Sequence, residues 1–574
     1  MTVTTKSPTP PRRKTRANRA GATSRGTKAG WNVLSLALLA FFVTFVVFPL
    51  ILVLYRAVID PETGSFSTAY FAKFMAKEYY WGSLVNSFKV TIVATLIATV
   101  IGLPMAYVLR SVRIRGSKWI NILIVISYLS PPFIGAYAWV QLLGRNGYIT
   151  RAIHTLTGIE LPGIYGFPGI VLVFCLQSFP LIYMYISGAL KNLDSSLIEA
   201  AQSLGCNAVG RVLKVVLPLV VPTLLASMLL VFMRVFSDFG TPMLIGEGYQ
   251  TFPVLIYNEF MGEVSTDDHF AAALCVVVVL IALVLFFAQR YISKRLTYSM
   301  TALKPMQAEP AKGLRGIFAY VFVYGVLALA ILPQVTVIAT SFMGTSGGVV
   351  LDGTLTLDHY RHTLFDSTNS SAIWNTYLFG LAAIILVVVI GMLVSYLSVR
   401  KPNAITGSLD VLSMFPYIIP GSVLAISFLY GFNSPPIFLS GTAYIIIVAL
   451  AVRRMPYTIR SSSAILGQIS PSLEEAAISL GASEFKSLWR VTIPMMLPGV
   501  FAGAIMSWIT VISELSSSII LYTAGTKTLT VAIYTEVIRS NFGAAAAYST
   551  ILTLTSIISL LLFFKLTGKN DVSV

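Results

Sequence analysis

Charge is what this chain has least of. Asp, Glu, Lys and Arg together make 11% of its 574 residues, and acids are scarcer than bases, 23 against 40. An ordinary soluble domain is about a quarter charged, so that class is excluded. Cysteine is equally sparse: Cys175, Cys206 and Cys275 have no C-x-x-C spacing and give no basis for a disulfide framework or a zinc site. No G-x-x-x-x-G-K-[ST] run occurs, which excludes a phosphate loop of the kind that binds nucleoside triphosphates.

The remainder is apolar. Hydrophobic residues make 56% of the chain and mean hydropathy is +0.80, the composition of an integral membrane protein. The first apolar run, Trp31 to Val58, can cross a hydrocarbon layer of ~30 Å as a helix and is too long for the core of a cleaved signal peptide. The basic head before it (Arg12, Arg13, Lys14, Arg16, Arg19, Arg25 and Lys28) marks a retained anchor with its tail in the cytoplasm. A helical-span window predicts twelve crossings: 31–58, 84–109, 119–142, 168–190, 219–238 and 269–290, then 316–343, 374–399, 409–432, 441–465, 495–515 and 544–565. With the N-terminus inside, cytoplasmic segments hold about 30 of the 40 Lys and Arg, and external loops hold about 8 beside about 13 acids. The net charge of +17 therefore reports membrane topology, and no nucleic-acid partner is expected.

The chain also repeats itself. IEAAQSLGCNAVGRVLKVVLP, Ile198 to Pro218, returns as LEEAAISLGASEFKSLWRVTIP, Leu473 to Pro494. Glu475, Ala476, Ala477, Gly481 and Pro494 each lie 276 positions after Glu199, Ala200, Ala201, Gly205 and Pro218. Pro180 pairs with Pro456 and Pro222 with Pro498 at that offset, Asn86 with Asn375 at 289, Tyr70 with Tyr360 at 290, and Pro132 with Pro420 at 288. The offset changes most where the first half has a loop from Leu143 to Phe167 and the second a short one around Asn433 to Ser440. Six spans per copy give both halves one orientation, related by a pseudo-two-fold axis along the membrane normal, with a cavity between them. The expected layout is a basic tail at 1–30, a repeat at 31–290, a cytoplasmic linker at 291–315 containing Lys304, Pro305, Pro310 and Lys312, a second repeat at 316–565 and a cytoplasmic tail at 566–574.

Each repeated stretch has its own capping chemistry. Ser196 with Glu199, and Ser472 with Glu475, have capping-box spacing and predict a short helix that ends at Gly205 or Gly481. Asn207 or Ser483 then predicts the N-cap of a second short helix, ending at Leu217-Pro218 or Ile493-Pro494 where the next span begins. Two readings follow: an amphipathic elbow at the interface, or a docking element, which duplication inside otherwise diverged halves favours. The pattern EAA, three residues, G, then hydrophobic-x-(Ile/Leu)-Pro resembles the cytoplasmic signature of permease subunits of binding-protein-dependent ABC importers. That resemblance covers residues 31–565 and implies an all-α membrane protein of about twelve helices in two parallel six-helix repeats, the type I importer permease fold. It implies that Glu199, Ala200, Ala201 and Gly205, with Glu475, Ala476, Ala477 and Gly481, form two coupling helices. It further implies two copies of an ATPase subunit that hold ATP and Mg, no cofactor on this chain, an extracytoplasmic solute-binding protein and a bacterial inner-membrane location.

The stretches FSDFGTPMLIGEGYQTFPVLIY, from Phe236, and ISELSSSIILYTAGTKTLTVAIY, from Ile512, are similar to those of fused ferric-iron permeases. Related permeases for aminoethylphosphonate, thiamine or polyamines are the alternatives. Ionisable residues inside spans direct attention to a pathway: Lys89, Arg234, Asp238, Arg453, Arg454 and Glu514, with Asp238 and Glu514 in matching positions. Arg234 and Asp238, four apart, could equally pair with each other. Arg453 and Arg454, standing where the first half has Gln177 and Ser178, either attract an anion or snorkel to the headgroups, the second being the simpler reading. His359 and His362 share a helix face, but no third ligand is evident and no metal site is expected. Glu247, Glu259, Glu263, Asp267 and Asp268 form an acidic external segment for a binding-protein lobe or for solvent. A secondary transporter would also have twelve spans but has no use for doubled coupling helices; a channel would need polar rings that are not seen.

Overall fold

The computed structural model describes residues 15–262, 267–295, 308–346 and 350–567; Arg12, Arg13, Lys14, Glu263, Lys304 and Pro305 lie outside them. Among the described residues nine helices are long and apolar enough to cross a membrane: Ala29–Val58, Glu78–Ser111, Gly166–Lys191, Val209–Phe236, Asp268–Ile292, Gly313–Ser341, Asn369–Arg400, Glu484–Ile512 and Phe542–Leu566. Two more crossings are bent pairs, and the twelfth helix, Ala443–Gln468, is long enough but carries Arg453, Arg454 and Arg460. These fill the twelve expected places, with six in each repeat.

The third and ninth spans differ from the straight crossings expected at 119–142 and 409–432. Ser117–Tyr128 meets Pro132–Thr157 at 97°, and Ala404–Ile418 meets Gly421–Phe432 at 113°. Proline explains both breaks, because it disfavours helical geometry in the residue before it and has no N–H to continue the ladder. Ser130 (ψ 133°) and Ile419 (ψ 128°) are extended, and Pro131 and Pro420 act as N-caps of the helices that follow. Pro420 therefore corresponds to Pro131, at the offset of 289 that Asn86 and Asn375 share, and not to Pro132.

A second difference concerns the prolines after the repeated stretches. Pro218 and Pro494 were expected to end short helices, yet Val209–Phe236 and Glu484–Ile512 run through them. A π turn precedes each proline: Leu217 N–H bonds to Val212 O, and Ile493 N–H to Leu488 O. The wider turn shifts the hydrogen-bond register at the point where the missing proline N–H would interrupt it. Val43–Val47 does the same before Pro49 in the first span.

The halves are interlocked. The first span packs on the second half, against Ala404–Leu412 and Gly421–Phe432, while Gly313–Ser341 packs on the first half, against Ser117–Leu129 and Pro132–Leu143. Gly431 permits the first of these approaches, since a Cβ there would press on Pro49 at 3.3 Å. Buried hydrogen bonds cross the same boundary: Tyr137 Oη donates to Phe542 O at 2.6 Å, and Thr340 Oγ1 to Gln141 Oε1 at 3.0 Å. Each of the two large apolar cores mixes residues of both halves. The end of the linker also docks on the first half, with Glu309–Pro310 paired in parallel with Val112–Arg113. A hairpin of Met343–Ser346 and Val350–Leu355 follows the seventh span.

Candidate functional site

Two places gather the residues singled out by sequence: the repeated elements at one end of the bundle and a cavity between the halves. The first repeated element is the helix Ser195–Ser203, the second Ser472–Ser479. Neither forms the expected capping box. Asp194 caps the first, its Oδ1 accepting Ser196 N–H at 2.9 Å, and Pro471 begins the second with no side-chain cap. The first helix starts one residue before Ser196 and the second at Ser472, so each serine is already inside.

The C-terminal ends match expectation closely. Gly205 (φ +83°) and Gly481 (φ +95°) take conformations that other residues rarely adopt. Cys206 N–H bonds to Ala201 O at 3.0 Å and Gly205 N–H to Gln202 O at 3.0 Å, while Ala482 and Gly481 repeat the pattern to Ala477 (3.1 Å) and Ile478 (2.9 Å). This is the Schellman closure in both copies. Asn207 Oδ1 then caps Gly210 N–H at 2.7 Å, and Ser483 Oγ caps Lys486 N–H at 3.2 Å.

Glu199, Ala200, Glu475 and Ala476 are exposed, whereas Ala201 and Ala477 face inward. Sequence reasoning missed the apolar residues beside them. Leu204 is 85% exposed and Leu480 91%, and Val209 and Phe485, also 276 apart, are exposed as well. Large hydrophobics repeated on short, otherwise polar helices were the available signal. The second element has ties that the first lacks. Glu474 Oε1 receives Arg400 Nε (3.3 Å) and Thr492 Oγ1 (2.7 Å), and Glu484 Oε2 receives Lys401 Nζ and Trp31 Nε1, each at 2.7 Å. Ile198 and Ala208 occupy the matching positions of the first element.

The cavity has a volume of about 200 Å³ and brings together Arg234, Asp238, Arg453, Arg454 and Glu514. Arg234 does not pair with Asp238. Its helix ends at Phe236, so Asp238 turns away; Asp238 Oδ1 accepts Thr241 N–H at 3.0 Å, while the Arg234 guanidinium sits 4.3 Å over the Tyr128 ring with Nη2 3.3 Å from Tyr128 O. Nor do Arg453 and Arg454 snorkel. Both side chains are more than four-fifths buried against Glu514, itself 4% exposed: Arg453 Nη1 lies 3.2 Å from Oε1, and Arg454 Nη2 donates to Oε2. A charge in a low-dielectric interior needs a partner, and Glu514, 60 residues along the chain, supplies it.

Tyr128, Tyr417 and Tyr457 add to the polar lining, as do Ser130, Ser237, Thr510, Ser513 and Ser516. Tyr128 and Tyr417 share the 289 offset, the signal that could have found them. The N-terminus of Pro132–Leu143 opens on this space, and Ile419, which precedes Gly421–Phe432, lines it as well. Asn86 and Asn375 have a different duty, binding Gln250 O at 3.1 Å and Gly525 O at 3.0 Å to hold the second and eighth spans to the loops after the fifth and eleventh.

Lys89 is exposed on the second span, away from the cavity lining. His359 bonds through Nε2 to Met343 O at 2.9 Å, His362 is exposed, and among the described residues no group of three potential ligands gathers around them. Much of the acidic segment is already matched within the chain: Glu247 by Arg145, Asp267 by Lys73 at 2.8 Å, and Asp268 by Arg56 at 3.7 Å.

A family model described as "Binding-protein-dependent transport system inner membrane component" matches the chain twice, at residues 98–298 and 390–568. Among curated relatives, a ferric transport system permease protein of Actinobacillus pleuropneumoniae is 28% identical over 548 residues, covering 94% of this chain and 78% of that relative. A putative ferric transport system permease protein of Haemophilus influenzae is 28% identical over 86% of this chain and 78% of its own length. A putative 2-aminoethylphosphonate transport system permease protein of Salmonella typhi is 26% identical over 269 residues, 46% of this chain and 91% of its own.

Proposed function

The chain belongs to the binding-protein-dependent transport system inner membrane components, with the type I ABC permease fold present twice, and we propose that it forms the whole membrane passage of an importer for ferric iron. The observation that carries this is the pair of exposed, Schellman-closed elements Ser195–Ser203 and Ser472–Ser479. Each would seat in one of two ATPase subunits, with Glu199, Ala200, Ala201 and Gly205, or Glu475, Ala476, Ala477 and Gly481, at the contact and Leu204 or Leu480 as its apolar tip. ATP and Mg would be held by those subunits. Both termini and the linker would then be cytoplasmic, and an extracytoplasmic solute-binding protein would deliver cargo to the opposite side.

Mechanically, closure of the ATPase pair draws the two elements together. Rigid helices running from them, Val209–Phe236 and Glu484–Ile512, end at the cavity with Arg234 and next to Glu514, so movement at one end changes the cavity's opening at the other. Broken helices are tolerated at this depth because their freed backbone groups line the cavity instead of lipid. Ferric iron is preferred over aminoethylphosphonate, thiamine or a polyamine because the relatives that match 94% and 86% of the chain carry ferric-transport names. The test is uptake into vesicles containing the permease and its ATPase, with iron-loaded binding protein outside and ATP within. Iron should accumulate only with ATP. Accumulation driven by an ion gradient in vesicles lacking the ATPase would instead identify a secondary transporter.

A further inference from the structure

We propose that the cavity receives its ligand through an oxyanion, a carboxylate, phosphate or phosphonate group, which Arg234, Arg453 and Arg454 bind as Glu514 is displaced. Naming that ligand as cargo rests on the transport reading; the binding itself does not. The charges argue for the sign. Three guanidinium groups and two carboxylates line the cavity, and both carboxylates are engaged, Glu514 by the arginine pair and Asp238 by Thr241 N–H. A bare cation entering here would meet a net positive wall.

Unused donors point the same way. Arg454 Nε is buried without a hydrogen-bond partner, and Arg453 Nη1, though 3.2 Å from Glu514, makes no hydrogen bond there. Ser130, 4% exposed and on the cavity wall, has an unpartnered Oγ, as has Ser513. The N-terminus of the broken helix Pro132–Leu143 adds a positive dipole end on the wall, the arrangement by which discontinuous membrane helices hold anionic groups, and Ile419, which precedes the helix Gly421–Phe432, lines it too. Guanidinium forks suit planar, bidentate oxyanions better than point charges.

The arginine pair is not required by the repeat itself. The first half builds the same helix with Gln177 and Ser178 in those positions. Room is made for Arg453 by Gly421, where any Cβ would collide with its guanidinium. Glu514 thus holds the arginines as an internal stand-in for the ligand's oxygens.

Calorimetric titration of the full chain in lipid nanodiscs with sodium phosphate, against sodium chloride at equal ionic strength, tests this. Saturable phosphate binding is expected. Glu514→Gln frees both guanidinium groups and should tighten it about tenfold, while Arg234→Gln should weaken it about tenfold, the scale of one charge-assisted hydrogen bond. The combined R453Q/R454Q/E514Q variant removes the ion cluster as a unit and leaves none of its three members unpaired, so it should remain folded by gel filtration and lose binding. Phosphate bound no better than chloride, or weaker binding in Glu514→Gln, would overturn the proposal. Two further probes separate the sources of the oxyanion. Ferric citrate binding far more tightly than citrate assigns it to a metal-borne ligand, and methylphosphonate binding as well as ferric citrate assigns it to a free solute. Failure of ATP-dependent uptake would remove the transport reading and leave this titration standing.

Discussion

Gly205 and Gly481 combine positive φ with open space: a Cβ at either would meet nothing within 4 Å. Substitution there is opposed by backbone strain alone, on the order of 1–3 kcal/mol for a residue forced into that region. Gly205→Val with Gly481→Val should therefore misdirect the chain after each coupling helix, lowering iron moved per ATP hydrolysed several-fold with membrane insertion intact. Asparagine, which tolerates positive φ better, should cost less at both sites; equal transport-to-hydrolysis ratios in wild type, valine and asparagine forms would count against the coupling role. These glycines were legible because only one residue type fits the required conformation. Arg453 and Arg454 were not, because sequence locates depth in a span only to within several residues, and the choice between headgroup and Glu514 depends on which helix lies alongside.

The two repeated elements are alike in backbone, and the second has ties through Glu474 and Glu484. Glu474 joins Ser472–Ser479 to the end of Asn369–Arg400 through Arg400, whose side chain is 9% exposed. Removing one member of such a buried pair leaves the other charged and unpaired, a cost of about 3 kcal/mol. Glu474→Ala should lower the thermal stability of the purified protein measurably, whereas Ile198→Ala at the matching place should change it little; similar melting temperatures for both would show that the tie contributes nothing. At this scale sequence located the helices and the second caps correctly. It expected the first caps at Ser196 and Ser472, where Asp194 and Pro471 precede the helices, and took Pro218 and Pro494 for breaks, because the π turn that carries each helix through its proline has no sequence signal of its own. Pro131 and Pro420 break their spans, and the same residue type does opposite things in the two settings.

Across the whole molecule, the first span of each half is embraced by the other half. Neither repeat completes its own surface, since Ala29–Val58 leans on Gly421–Phe432 and Gly313–Ser341 on Pro132–Leu143. A chain cut between Met300 and Thr301 should yield halves that copurify when expressed together; expressed alone, the 1–300 half should be degraded or aggregate. A stable, monodisperse lone half would contradict the interlocked packing. Composition and periodicity by themselves determined the membrane setting, the duplication and the two repeated glycine-closed helices, because hydrophobic length, repeat spacing and glycine conformation are local properties carried along the chain. Only tertiary structure decided that each half's first span also packs on the other half, that two spans are bent at the cavity, and that Arg453, Arg454 and Glu514 meet. Those outcomes depend on which surfaces approach in three dimensions, where a buried charge is stable beside a partner that no local spacing reveals.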